Sequence, residues 1–249
     1  MELREIIPLC RAYSIRNILI HVRLIARDNY IKVIVNIIYI VVLFVVSLLG
    51  IFNIRKSNIL FRLLTFYVSY TLISELISYM VSYIWQNNSL VMKIYLFAEI
   101  SFMAAIYYLL FRHSRQKKII LVCASALFLF CFIVSMIHRE ALFPGYLVAL
   151  ESIMLIIFSV MYFFQLLKYP YEHDLLSMGE FWLNSSVLVY STGSFVGWVS
   201  FSYLYRHQIK LPSLPVVMNA LDILHYTLLG VAIFFHVKRK SIIMHENTN

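Results

Sequence analysis

The chain alternates long apolar runs with short polar breaks, and the runs are too long for the helices and strands of a water-soluble fold. Seven windows, near 31–53, 59–85, 91–111, 119–137, 142–167, 180–204 and 215–237, are apolar over the length a membrane demands. About 20 such residues span a hydrocarbon core roughly 30 Å thick, at about 1.5 Å of rise per residue. Helices are required, because lipid offers unpaired backbone amides no partner. The pattern predicts an all-α fold, a polytopic membrane bundle of seven transmembrane helices.

Ahead of the first window the period changes. In SIRNILIHVRLIARDN, Ser14 to Asn29, the residues Ile15, Ile18, Leu19, Val22 and Ile25 share one helical face, while Arg16, Arg23 and Arg27 share another. That is the pattern of an amphipathic helix lying in the membrane interface. The expected organisation is a basic N-terminal segment with this interfacial helix over 1–30, a transmembrane domain over 31–240 and a short cytoplasmic tail over 241–249. Arg4, Arg11, Arg16, Arg23 and Arg27 break up the N-terminal region, which does not read as a cleavable signal peptide. The first span is expected to direct insertion itself.

Composition strengthens the membrane assignment. Of 249 residues, 62% are hydrophobic and 13% charged, with a mean hydropathy of +0.82, more apolar surface than a soluble domain buries. A net charge of +9 would suggest nucleic acid as partner of a soluble protein. Here the basic residues gather where helices leave the bilayer, so headgroups are the expected partner and nucleic acid is not. The loops after spans one, three and five and the C-terminal tail carry Arg55, Lys56, Arg112, Arg115, Lys117, Lys118, Lys168, Lys238, Arg239 and Lys240. The other side, the N-terminal segment aside, carries Arg139, Arg206 and Lys210, with Lys93 at a helix mouth. This asymmetry predicts a multi-pass protein of the inner (cytoplasmic) membrane with its C-terminus in the cytoplasm. The five N-terminal arginines and Lys32 pull the opposite way.

Four acids interrupt the apolar runs: Glu75 in LISELISYMVSYIW, Glu99 in IYLFAEISFMAAIYYLL, Glu151 in ALESIMLIIF and Asp222 in DILH. Counted along helices that reverse direction at each loop, all four fall roughly 10 to 15 Å from one membrane face. Inverting the molecule moves them together, so the shared depth does not depend on orientation. Asn36 lies slightly nearer the surface, Thr192 stands at matching depth with Tyr190, Ser191 and Ser194, and His225 lies one turn beyond Asp222 on the same face. A charge at the bilayer centre costs roughly 3 kcal/mol on insertion scales, so such acids face a bundle interior or a water cavity. Four bare charges cannot gather there without protons or a cation. The expected ligand-binding set is Glu75, Glu99, Glu151, Asp222, His225, Thr192 and Asn36. Tyr67, Tyr70, Tyr79, Tyr83, Tyr95, Tyr107, Tyr190 and Trp198 offer aromatic walls, whereas Trp85, Tyr203 and Tyr205 read as interface anchors. The fourth span, IILVCASALFLFCFIVSMI, offers only small hydroxyls and is expected at the periphery.

Other chemistry finds little support. Cys10, Cys123 and Cys131 have no metal or redox spacing. A zinc hydrolase needs about three converging ligands, and of the histidines only His225 is deep. FWLNSSVLVYSTGSF lacks a G-x-S-x-G elbow, and its Gly193 and Gly197 suit close helix approach. No cofactor is expected. The leading expectation is a receptor-like or sensor-like membrane protein, not an enzyme, that binds a small polar or cationic ligand, or a proton, at the carboxyl cluster. The alternatives are a small transporter or proton- or cation-coupled channel, an intramembrane metal-dependent hydrolase, and acids serving only as interhelical hydrogen-bond glue.

The order of LISELISYM, FAEISFMAAIYYLL, the basic turn FRHSRQKK, ESIMLIIFSVMYFFQLL and FWLNSSVLVYSTGSF resembles a group of seven-helix membrane proteins of Bacteroidetes, some free-standing and some forming the sensor half of histidine kinases. The resemblance spans about Ile31 to His236. It implies ligand sensing through the bundle with the C-terminal end in the cytoplasm. The basic N-terminal segment and the lack of a kinase depart from the kinase-linked form, so a separate cytoplasmic signalling partner is expected.

Overall fold

The computed structural model describes residues 30–85, 88–137, 145–168, 175–209, 211 and 213–246. The interfacial helix expected over Ser14 to Asn29, and Cys10, lie outside the described residues. Within them the chain forms seven long helices and no strand: α1 (Tyr30–Asn53), α2 (Ile59–Trp85), α3 (Ser89–Leu110), α4 (Ser114–Ile137), α5 (Gly145–Lys168), α6 (Gly179–Arg206) and α7 (Leu214–Glu246). A 3-10 turn at Leu175–Ser177 precedes α6. Every helix is long and apolar enough to cross a membrane, and the protein is a multi-pass membrane bundle. The face carrying the α2–α3 and α6–α7 connections is called upper here, and the one carrying α1–α2 and α3–α4 lower.

The polar breaks place the helix ends. Between α1 and α2, the Asn58 side-chain oxygen accepts from the Phe61 amide at 3.0 Å, which caps α2. Arg62 Nε donates to the carbonyls of Ile54 and Ser57 at 3.1 and 3.0 Å and ties the turn down. Helix α4 starts at Ser114, ahead of its apolar window, because Arg115, Gln116, Lys117 and Lys118 are good helix formers outside lipid. Helix α7 continues to Glu246, well past the expected end near 237. No glycine or proline follows Lys238 to stop it, so the helix runs on through 241–246.

Helix α6 is the central member, packed along its length against both α5 and α7, while α2 pairs with α3. Helix α3 also meets α5 directly, which leaves α4 outside that contact. Only Ile120, Ala124 and Cys131 of α4 are buried. It leans on α3 through Phe97, whose ring lies 5.0 Å from Phe128. Helix α1 closes the bundle between α2 and α7. Ser47 and Ser69 share a hydrogen bond of 2.9 Å, Val46 fills the space left by Gly230, and Tyr39 tilts against Tyr226 at 5.9 Å.

Close packing dominates the lower half. Phe61, Leu64, Ile106, Tyr107, Phe111, Phe158 and Tyr162 are almost completely buried there. At Gly179 a Cβ would meet the Ala232 carbonyl at 2.5 Å, so α6 and α7 approach backbone to backbone there. In the upper half α6 approaches α7 through Gly193 and Gly197, whose missing side chains admit Leu221 and Met218, as expected of a small-residue helix contact.

Candidate functional site

The upper half contains a cavity of about 470 Å³ bounded mainly by α2, α3, α6 and α7, within the range of about 300–1,000 Å³ typical of small-molecule sites. It runs from Asn88 and Leu214, at the upper ends of α3 and α7, down to Glu99 and Tyr190. The polar wall comes from α2. Ser74, Glu75, Ser78 and Ser82 recur at helical spacing along one stripe, and Asn88 closes the top by donating to Ser78 Oγ at 2.8 Å.

Three of the four acids line this cavity: Glu75, Glu99 and Asp222. Glu75 accepts from the Tyr39 hydroxyl at 3.1 Å. Glu99 accepts from the Tyr67 hydroxyl at 3.0 Å, and the Tyr95 hydroxyl is also directed at its carboxyl. Asp222 has no hydrogen bond to any described residue, and it lies within electrostatic reach of both Glu75 and Glu99. Tyr39, Tyr79, Tyr95, Tyr190, Tyr226, Trp198, Phe201 and the amide of Asn219 form the rest of the polar and aromatic lining. No lysine, arginine or histidine belongs to the lining.

The other sequence candidates lie elsewhere. Glu151 is buried at 2% exposure and interacts electrostatically with Glu99. It does not reach the cavity, and its Oε1 has no hydrogen-bond partner. His225 turns toward α6. Its Nδ1 lies 2.8 Å from Ser186 Oγ, Ser186 in turn donates to the His225 carbonyl, and the imidazole stacks on Tyr190 at 4.4 Å. Residues Asp222 and His225 share a side of α7 in projection, yet the ring leans into the α6 seam and leaves the cavity to Tyr226. Thr192 faces outward and donates its hydroxyl to the Leu188 carbonyl at 2.7 Å. The cavity face of α6 is fixed by Tyr190, Gly197, Trp198 and Phe201. Two residues along a helix from Tyr190 is about 200° around it, so Thr192 must point away. Asn36 is half-buried beside the Tyr79 hydroxyl and is not part of the lining.

The lining also includes Tyr39, Tyr226, Asn219, the Ser78–Ser82–Asn88 stripe and the apolar Phe201, Leu214 and Met218, none of which the sequence singles out. Tyr226 was detectable, since it follows Asp222 by one helical turn. Tyr39 carries no local signal in its run of isoleucine and valine.

A second polar group, also unforeseen, sits in the lower half. Tyr107 Oη and Ser159 Oγ are 2.6 Å apart, Tyr107 donates to Asn184 Oδ1 at 3.0 Å, and Asn184 Nδ2 donates to the Ser159 carbonyl at 3.1 Å. Gln165 completes the seam by accepting from the Arg112 amide at 3.2 Å. Asn184, Ser159 and Tyr107 have no exposure. This set joins α3, α5 and α6, and none of its members lines the upper cavity.

Among the described residues no group of three or more His, Cys, Asp or Glu could hold a metal ion. No family model matches the chain, and neither a curated protein nor a solved structure matches it.

Proposed function

We propose that this is a receptor-like or sensor-like protein of the inner membrane that binds a small polar or cationic ligand in the upper cavity and passes the event to a cytoplasmic partner. One observation carries the reading: three carboxyls line a ligand-sized cavity whose walls supply no positive charge. Acids inside a membrane mark functional pathways far more often than structural ones. The basic lower face favours a cytoplasmic C-terminus and an outward cavity mouth.

Two features support sensing over transport. Beneath the cavity the bundle is filled by Tyr67, Tyr107 and Phe158, so a solute that reaches Glu99 meets packed side chains. Helix α7 carries Asp222 at the cavity and continues unbroken to Glu246 at the lower face, so a small rotation of one rod reaches both ends. Ligand binding would favour one packing of α7 against α1 and α6 over another. The resemblance to membrane sensor domains points the same way.

The test is a screen of small polar and cationic metabolites for compounds that raise the unfolding midpoint of the purified protein, repeated on Glu99→Gln. A stabilising compound whose effect the substitution weakens supports the reading. Absence of any hit, together with proton or cation flux in reconstituted vesicles, would replace the sensor with a transporter.

A further inference from the structure

We infer that the occupant of the upper cavity is an amphiphilic organic amine, one ammonium head on an aromatic or alkyl body, seated head-down among Asp222, Glu75 and Glu99. The inference rests on the binding reading above and narrows it to a chemical class.

Charge comes first. Three carboxyls with no lining cation disfavour an anion, and an organic cation compensates them in place of the protons they would otherwise hold. Among the three, Asp222 is the acceptor that no described residue serves, whereas Glu75 and Glu99 already receive tyrosine hydroxyls. An ammonium brings three donors and no acceptor. It therefore matches the unused acceptor at the floor, and the tyrosines that line the cavity put aromatic groups, which attract organic cations, nearby.

Size and polarity separate an organic cation from an inorganic one. A cavity of about 470 Å³ far exceeds what a bare ion fills, and the acids do not converge with a third ligand as a metal site requires. The cavity also has an apolar wall above the acids. Asp222 lies about 12 Å and Glu99 about 15 Å below the helix starts at Leu214 and Ser89, at ~1.5 Å per residue. Above them one wall of the mouth, formed by Trp198, Phe201, Met218, Leu214 and Val91, is apolar, and it faces the polar stripe of Ser78, Ser82 and Asn88. A ligand with its charge at the floor can lay an apolar remainder against that wall. Burying that remainder contributes roughly 25 cal/mol per Å², which a bare methylammonium forgoes.

The experiment uses the purified full-length chain in lipid nanodiscs. Unfolding midpoints are measured against rising phenethylamine, methylamine, phenethyl alcohol, sodium chloride and calcium chloride. Phenethylamine should half-saturate at a concentration about tenfold below methylamine, and phenethyl alcohol should give no shift. Asp222→Asn should raise the half-saturation of both amines about tenfold, and Trp198→Leu that of phenethylamine alone. If Asp222→Asn does not elute as a single folded species, Glu75→Gln carries the same expectation, since its amide oxygen still serves Tyr39. Methylamine or an inorganic cation equalling phenethylamine overturns the amphiphile and leaves the binding reading standing. So does stabilisation by a neutral polar compound alone. Failure of every probe and every screened compound removes both.

Discussion

The two halves of the bundle are both polar inside, and they use polarity in opposite ways. In the lower half, Tyr107, Ser159 and Asn184 answer each other's donors and acceptors across α3, α5 and α6, fully buried, and Gln165 ties α5 to the backbone at Arg112. In the upper half, three carboxyls face an open volume, and Asp222 has no donor among the described residues. What distinguishes glue from a site inside a membrane is thus the matching of donors to acceptors, and the mere presence of polar side chains does not decide it. A matched set lowers the free energy of one packing. An unmatched set beside space holds its acceptors ready for something else.

That contrast breaks most forcibly at Gly179. Gly179→Ala would drive a methyl into the Ala232 carbonyl, with Phe61 at 2.7 Å on another side. Neither backbone nor a buried ring yields easily, so a loss of ~3 kcal/mol is expected as a lower thermal midpoint in detergent. Asn184→Leu comes next. It removes the second bond to the Ser159 carbonyl, which the helical ladder of α5 still serves, and one bond of Tyr107, at a cost of ~2 kcal/mol, while the half-saturation of a cavity ligand stays unchanged. An Asn184→Leu protein as stable as its parent would show that the lower network is not glue.

The same contrast explains what could be read from sequence. The seven windows were legible because lipid imposes a length and an apolar content that nothing local can disguise. Glu75, Glu99 and Asp222 were legible because a deep acid is conspicuous and its depth follows from counting. Which way a side chain turns at that depth was not. Thr192 and Tyr190 differ by two positions and face opposite directions, and His225 chooses the Ser186 seam because a serine on α6 happens to meet it. Depth is a property of one helix, whereas facing is a property of a pair. The lower network escaped notice for the same reason: tyrosine, serine and asparagine are unremarkable singly, and become a seam only when α3, α5 and α6 meet.

Smaller effects sharpen the boundary from the upper side. A Cβ at Gly197 would press on the thioether end of Met218, a flexible group that can move aside. Gly197→Ala should therefore leave the thermal midpoint within about 0.5 kcal/mol of the parent. Both residues line the cavity, so the added methyl and the displaced thioether take up ligand space. Amine half-saturation should rise a few-fold, the reverse of the pattern at Asn184.

The smallest effect is expected at Thr192, and it is informative because sequence places that residue with the acids. Its hydroxyl turns back to the Leu188 carbonyl on its own helix and the side chain is exposed to the bundle's exterior. Such a back-bond leaves the carbonyl's helical hydrogen bond intact and adds little. Thr192→Val keeps the branched shape, removes one hydroxyl from a lipid-facing position and should change stability by less than about 0.5 kcal/mol. Amine binding should be unaltered to within the error of the titration. A clear loss of binding in Thr192→Val would mean that α6 turns a different face to the cavity, and Tyr190, Trp198 and Phe201 would then have to leave it together, since a helix cannot rotate one residue without the rest.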